Sequence, residues 1–487
     1  MSKKQENKSK TSQEGITIKK EDDFSEWYQE LIIKADLADY TAVSGCIVFK
    51  PTAWAIWETI MEEVNKRLKK MNVKNVYFPM FIPESLLSKE QEHVKGFTPE
   101  VAWVTQAGDT KLNERLAIRP TSEAIMYDSF SKWIRSWRDL PLKYNQWSNV
   151  VRWEFKHPVP FFRTREFIFN EGHTVFSTKK EAEEESAKII NMYKEILEKY
   201  LAIPGLIGKK TDKEKFAGAE YTMTIESYLP NGKAIQGPDF HYDEQNFSKA
   251  YNITFLDKEG KKQYAWQNTW AISTRMLGVM FALHSDNKGL ILPPKVAPNK
   301  IVIIPIKFEE NKKVLEASQK LFQELSKFSP ILDDRSEVTP GFKFNEWELK
   351  GIPLKIELGP KDLEKKQIIL VRRDNSVKKP VKIKNLNKVI EKELQEIQDS
   401  LFKKAQKLLY DNLTEANTLQ EALKKLKGNK IVLVPLKNSK DVEDILKEKT
   451  SGVKTLNIPQ HQPSIKGKKC IISNQQADYW VYIGKSY

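Results

Sequence analysis

Two short aromatic runs, Val150-Val151-Arg152-Trp153-Glu154-Phe155 and Phe162-Arg163-Thr164-Arg165-Glu166-Phe167, constrain this chain most. Residues two apart on a strand face the same side. The spacing therefore predicts a strand, a turn and a second strand, with Arg152 and Glu154 on one face. Arg152 and Arg163 have the chemistry of a bidentate phosphate clamp. Glu154 can accept from an exocyclic amine, and Phe167 can stack on a purine. The same residues also suit a salt-bridged strand pair with no ligand. No Walker-type segment and no Gly-x-Gly-x-x-Gly occurs, so a nucleotide site here is built without a glycine-rich loop.

The 487 residues predict two to four domains, and the 40% hydrophobic and 30% charged composition is that of a soluble globular protein. No apolar run reaches the roughly 18 residues of a membrane-spanning helix. Cys46 and Cys470 are the only cysteines, and the six histidines are scattered. That pattern offers no disulfide framework and no zinc spacing, and a reducing cytoplasm is the default. A net charge of +15 suits a polyanionic partner such as nucleic acid, or simply a lysine-rich surface.

The periodicity predicts an amphipathic helix over Trp54–Met71, with Trp57, Ile60, Met61, Val64, Leu68 and Met71 on one face, running into a short strand Val76–Phe78 stopped by Pro79. A second helix starts at Thr178 with a capping box to Glu181. Aromatic strands between and after them indicate an antiparallel sheet. Past Leu292–Asn299 the pattern becomes alternating strand and helix, and a final segment from about Thr414 repeats that style. The expected division is a disordered basic tail over 1–22, then domains over 23–298, 299–405 and 406–487.

Three further segments carry chemistry. In Arg119-Pro120-Thr121-Ser122-Glu123 a hydroxyl and a carboxylate can hold an ammonium group, or Thr121 or Ser122 can simply cap a helix. In Ala234-Ile235-Gln236-Gly237-Pro238-Asp239-Phe240-His241 the glutamine and histidine can orient a small polar ligand, or His241 can sit on a surface turn. In Ser273-Thr274-Arg275 an arginine near a helix start can hold phosphates, or pair with a surface carboxylate.

Together these segments resemble class II aminoacyl-tRNA synthetases, specifically the prolyl-tRNA synthetases of the archaeal and eukaryotic type. The helix ending near Pro79 resembles motif 1, Arg152–Glu154 with Arg163–Phe167 motif 2, Ser273–Arg275 motif 3, and Thr121–Glu123 the proline-binding loop. The runs 78–81, 99–105, 284–290, 341–351 and 484–487 are also similar to the family's. The resemblance implies an α+β catalytic domain with an antiparallel sheet, an α/β anticodon-binding domain and a small α/β C-terminal domain. It implies ATP, L-proline and tRNA(Pro) as substrates, magnesium with the ATP near Glu171 and Gln236, and a cytoplasmic homodimer. Arg152 and Arg275 would be catalytic. Glu154, Arg163, Thr164, Phe167, Gln236 and Ser273 would complete the ATP site with them. Thr121, Glu123, Arg152, Phe169 and His241 would bind proline; Arg335, Lys343, Glu348 and Lys350 would meet tRNA.

The chain departs from the family's usual pattern. Pro238, Asp239 and Phe240 stand where Gly, Thr and Ser are usual, and Glu244 where Gly is. Phe169 and Asn170 replace Trp-Gln, and Ala271 replaces a glycine. Cys470 alone cannot form the family's zinc cluster, so no zinc is expected. The interval from Phe167 to Ser273 is too short for an alanine-editing insertion, so none is expected. Threonyl-, seryl- and histidyl-type synthetases share motifs 2 and 3 but lack the Thr-Ser-Glu loop. A non-catalytic RNA-binding paralogue and a generic basic nucleic-acid binder are the remaining readings.

Overall fold

The computed structural model describes residues 15–93, 100–154 and 157–487. Residues 1–14, most of the expected tail, lie outside them, as do Pro99 and Phe155 from two of the runs above. Among the described residues two compact units emerge, one within 40–48, 54–283 and 399–487, the other within 15–39, 49–53 and 284–398. Residues 399–487 fall in the same unit as 54–283, and their strand Ile458–Pro459 pairs with Leu206–Lys209 in one sheet.

That sheet has eight strands: β1 (Lys74–Asn75), β2 (Leu142–Val151), β3 (Glu166–Phe176), β4 (Leu206–Lys209), β5 (Tyr221–Tyr228), β6 (Ala234–Glu244), β7 (Trp266–Ser273) and β8 (Ile458–Pro459). They run in the order β8-β4-β5-β6-β7-β3-β2-β1. Every neighbouring pair is antiparallel except β1 with β2. The helix Lys179–Lys199 packs on one face, with its capping box at Thr178 and Glu181 as expected. Phe240 and Trp270 are paired across β6 and β7 and fully buried, and Tyr193 of that helix stacks edge-on against Trp270.

The long helix spans Pro51–Lys70 and buries Ile56, Trp57, Ile60, Val64 and Leu68; Met61 and Met71 are only half-buried. Val76–Phe78 is not a strand. Ladder pairing ends at Asn75, because the Phe78 N–H is captured by the Gln146 side chain instead of a neighbouring carbonyl. Tyr251–Phe255 is likewise shorter than expected, a strand only over Thr254–Leu256, and Cys470–Ile472 is a turn.

Glu244 has φ of +56° at a register shift between Tyr242 and Glu244 on β6. A left-handed residue at a bulge is where glycine is favoured, which accounts for the family's usual glycine there. Gly172 on β3 faces Trp270 across the strands, and a Cβ there would lie 2.0 Å from the indole.

The last segment forms its own small sheet from Leu413–Glu415, Ile431–Leu436, Tyr479–Gly484 and Lys454–Thr455, with Cys470 in its apolar core. In the other unit, a mixed sheet orders Ile331–Leu332, Ile301–Pro305, Leu354–Leu358, Gln367–Arg372 and Lys378–Lys382. Residues 15–22 are not a loose tail. Thr17 donates through N and Oγ1 to Glu30, and Lys20 donates to Asn287 and to the Ser285 carbonyl.

Because the β3–β7 contact leaves no room for a methyl group, Gly172→Ala is expected to lose about 2 kcal/mol of stability. Urea unfolding checks this, and an unchanged midpoint and slope would contradict the packing.

Candidate active site

The cleft floor is a set of cross-strand rows on the face opposite Phe240. Thr222, His241, Thr269 and His173 form one row across β5, β6, β7 and β3; Asp239, Ala271 and Glu171 form the next; Ser273 pairs with Phe169 beyond. The floor follows from the two-residue period of a strand. Thr121, Glu123, Arg152, Phe167, Gln236 and Arg275 complete a cavity of about 290 Å³.

One side is acidic and fully buried. Glu171 accepts from Ser122 N at 3.0 Å and Ser122 Oγ at 2.5 Å, and its other neighbours are Thr121, Gln146, Ser148 and His173, each at 3.4 Å. Thr121 Oγ1 donates to Glu123, and His173 Nδ1 meets Tyr127 Oη at 3.2 Å. Ser122 occupies the N-cap position of helix Glu123–Trp133 but makes no capping bond. The capping alternative is thereby excluded for Ser122, whose hydroxyl is spent on Glu171. Burial opposes ionisation of Glu171, but the bonds from His173 and Ser122 outweigh it and hold its carboxyl below the ordinary range. Burial raises Glu123, partly offset by His173 and reinforced by the Glu171 charge. Arg119, also buried, holds the loop by donating to the carbonyls of Asn149 and Phe78.

The opposite side is cationic. Arg152 is not on a strand: β2 ends at Val151, and the Arg152 N–H donates to the Arg165 carbonyl at 2.8 Å. Its Nε donates to the Pro120 carbonyl at 3.0 Å, and its guanidinium lies 5.5 Å from the Phe167 ring centroid. Arg275 begins helix Arg275–His284 and donates to the carbonyls of Phe162 and Gln236, both at 3.2 Å. The surface-carboxylate alternative for Arg275 therefore does not describe it. Burial, then the charges of Arg152 and Arg163, act against its own charge. His241 donates or accepts at Thr222 Oγ1 (2.8 Å) and stacks on Phe216 at 4.5 Å, so it is no surface-turn histidine. Burial lowers its pKa, countered by Asp239 and supported by Arg152.

The structure separates some of the expected site residues. Glu154 sits in an exposed turn after β2, not on the face with Arg152, and lines none of these cavities. Arg163 lines an adjoining cavity, and buried Thr164 a small recess with Phe167, Ser273 and Arg275. His173 escaped the sequence reading, although it lies two residues past Glu171 and so shares its face. Phe216 and Gln146 also escaped, and neither sits in a motif that marks it. Asp239 Oδ1 is buried without a hydrogen-bond partner, while Gln236 Nε2 donates to Oδ2 at 3.0 Å. Among the described residues, no three His, Cys, Asp or Glu side chains gather as a metal site.

In the second unit, Lys343 is 1% exposed and donates to the Asp333 carbonyl at 3.0 Å, so it cannot be a surface contact. Arg335 is bonded by Asp333 and Glu346, and Lys350 by Glu346. Glu348 accepts from Lys288 at 3.1 Å and edges a cavity of about 220 Å³ with Phe344, Trp347, Lys355 and Lys378.

Residues 103–284, which include both arginines and most of this sheet, match the family described as "tRNA synthetase class II core domain (G, H, P, S and T)". The fold is that of a class II aminoacyl-tRNA synthetase. "Anticodon binding domain" matches 300–393, and "Prolyl-tRNA synthetase, C-terminal" matches 419–487. The chain is 43% identical over 483 residues to the cytoplasmic proline–tRNA ligase of Arabidopsis thaliana, covering 97% of this chain and 91% of that one. It is 46% identical over 471 residues to proline–tRNA ligase 2 of Bacillus thuringiensis (strain Al Hakam), covering 96% and 98%. A crystal structure of the prolyl-tRNA synthetase from Cryptosporidium parvum, complexed with halofuginone and AMPPNP, superposes with a TM-score of 0.93 at 43% identity and 98% coverage of each chain. The chain belongs to the proline–tRNA ligase family and is an aminoacyl-tRNA ligase.

Asp243, at the β6 bulge beside Glu123, is fully buried with both carboxyl oxygens unpartnered. Burial, then the Glu123 charge, raises its pKa far above the ordinary value. A raised folded-state pKa means that the acid opposes folding increasingly as pH climbs past its unfolded value. Asp243→Leu is therefore expected to gain stability relative to the native chain as pH rises from about 4 to about 8. Thermal melts across that range check it, and a pH-independent difference would contradict it.

Proposed function

We propose that the cleft joins L-proline to ATP, releasing pyrophosphate, and passes the prolyl group to the 3′ end of tRNA(Pro). The observation that carries this is the division of one cavity into a buried acidic side and a cationic side. Proline is a zwitterion with a secondary ammonium; Thr121 and Glu123 would take the ammonium, with Phe169 and His241 as the walls. Arg152, lying between that loop and Phe167, would meet both the proline carboxylate and the α-phosphate. The carboxylate oxygen attacks the α-phosphorus, and the bond to the β-phosphate oxygen breaks. No protein nucleophile is needed; alignment and neutralisation of charge lower the barrier.

Phe167 would stack on the adenine, Thr164 and Ser273 would border it, and Arg163 and Arg275 would hold the outer phosphates. Glu154 is left as a residue that would reach the adenine edge only by movement of its turn. Magnesium carried by ATP would supply positive charge on the phosphates. Gln236 and Asp239 fit it, since Asp239 Oδ1 accepts no hydrogen bond and has only His241 Nε2 at 3.6 Å beside it. The Glu171 oxygens are already engaged by Ser122.

In the second unit, the cavity at Glu348 suits a nucleobase edge, with Lys355 and Lys378 for phosphates. Arg335 and Lys350 would act as a framed rim, and the buried Lys343 as its support. The homodimer reading is supported by the exposed apolar side chains Trp54 and Tyr77 of the motif 1 segment and Tyr40, Val43, Val48 and Phe81 on either side of it in sequence. No helix among the described residues is long and apolar enough to cross a membrane, and a cytoplasmic location follows the plant relative's name.

ATP–pyrophosphate exchange with each of the twenty amino acids tests the proposal. Exchange is expected with proline alone and is expected to fall at least about 100-fold in Arg152→Ala. Exchange driven by another amino acid, or none at all, would refute it.

A further inference from the structure

The segment between β4 and β5, residues 210–220, belongs to no strand or helix, yet it carries two side chains of the cleft, Glu214 and Phe216. Phe216 stacks on His241 at 4.5 Å and borders the apolar cluster around Tyr127 and Phe247. Its N–H donates to Thr222 Oγ1 at 3.0 Å, and the same oxygen meets His241 Nδ1 at 2.8 Å. The inner end of the segment is thus registered on the floor of the cleft.

Its outer end is registered on the C-terminal sheet. There the helix Lys440–Lys449 packs beside the strand Lys454–Thr455 and presents Glu443, which is 5% exposed. Glu443 accepts from Thr455 Oγ1 at 2.5 Å and from Thr211 Oγ1 at 3.0 Å, and both threonines are buried. Thr211 carries that fixation into the turn. Its hydroxyl oxygen accepts from the Glu214 N–H at 3.4 Å, and its carbonyl from the Lys215 N–H at 2.9 Å. Two further bonds join the same turn to the C-terminal sheet: Asn438 donates to Asp212 at 2.7 Å, and Lys213 pairs with Asp444. Asp212, Asn438 and Asp444 are exposed, and contacts of that kind contribute little. The bonds to Glu443 contribute more, because losing one strands a buried polar group. Glu443 lines none of the cavities described above, and the activation chemistry does not use it.

We propose that Glu443 is a positioning residue for amino-acid recognition: through Thr211 it fixes the 211–216 turn, so that Phe216 stays on His241 and walls the pocket for the proline ring. The C-terminal segment then shapes the amino-acid side of the cleft without touching the ligand. This deepens the activation chemistry proposed above and rests on it.

In the full chain, Glu443→Ala is expected to raise the KM for proline in pyrophosphate exchange about ten-fold, the scale of one hydrogen bond to a buried carboxyl. The KM for ATP should stay within about two-fold, a change on the scale of an ordinary surface substitution. The backbone amides of 211–218 should exchange faster with deuterated water in the same variant. Glu443→Gln keeps an acceptor oxygen and should restore both properties. Phe216→Ala should also raise the KM for proline, and adding Glu443→Ala to it should raise it less than about two-fold further, since both act through one ring. Thr211→Val leaves Glu443 bonded by Thr455 and breaks the same link, so it replaces Glu443→Ala if that variant does not fold, with a rise in the same direction expected. Unchanged amide exchange, or faster amide exchange with an unchanged KM for proline, would overturn the proposal. So would KM values for proline and ATP that rise together and are not restored by Glu443→Gln, since Glu443 would then serve the fold alone. Faster amide exchange in Glu443→Ala, when the native chain shows no proline-dependent pyrophosphate exchange, would instead refute the activation chemistry and leave the clamp on the turn standing.

Discussion

The buried carboxylate of Glu171 holds the catalytic unit's site together. It sits on the central strand β3 and accepts from the backbone and hydroxyl of Ser122, which ties the 119–123 loop to the sheet. An ionised carboxyl in the interior persists only when its lone pairs are occupied, and removing a partner from such a site typically costs about 3–5 kcal/mol. Ser122, Gln146, Ser148 and His173 fill that requirement. With the loop fixed, Thr121 and Glu123 face the cavity, and Glu123 inherits a neighbour whose charge raises its own pKa.

The cationic side is arranged by the opposite rule. Arg152 and Arg275 are anchored by carbonyls, Pro120 for one, Phe162 and Gln236 for the other. Carbonyls orient a guanidinium without cancelling its charge, so the field stays available to a ligand. Phe162 links this side to Tyr487 by stacking, and Glu443 accepts from Thr211 and Thr455, tying the segment after β4 to the C-terminal sheet. Joining of β8 to β4 makes that sheet and the catalytic sheet one unit.

Much of this was legible in the chain. Strand alternation carried Phe167, Phe169 and Glu171 to one face, and the aromatic strands gave the antiparallel sheet. The same period reaches His173. What sequence could not show were the points where a side chain overrides a local pattern. Gln146 captures the Phe78 N–H and ends the expected strand; Ser122 abandons its cap for Glu171. Arg152 lies past the strand end, so the two-residue spacing to Glu154 carries no shared face. Lys343 reads as a surface cation but is drawn inward by Asp333. Long-range partners settle each case, and their sequence separation hides them. The departure at Glu244 is tolerated at a left-handed bulge, and Phe240 faces the buried side, away from the cleft.

The central claim is that a carboxyl with a raised pKa, at Glu123, takes the ammonium of proline. Calorimetric titration of proline at about pH 5.5, in buffers of differing ionisation enthalpy, tests it most directly. A cation arriving beside Glu123 favours its ionised form, so protons held in the free protein must leave. The account predicts proton release on binding, diminishing as pH rises and the free protein holds fewer protons at Glu123. Binding enthalpies that are the same in every buffer at the lower pH, or proton uptake, would contradict it.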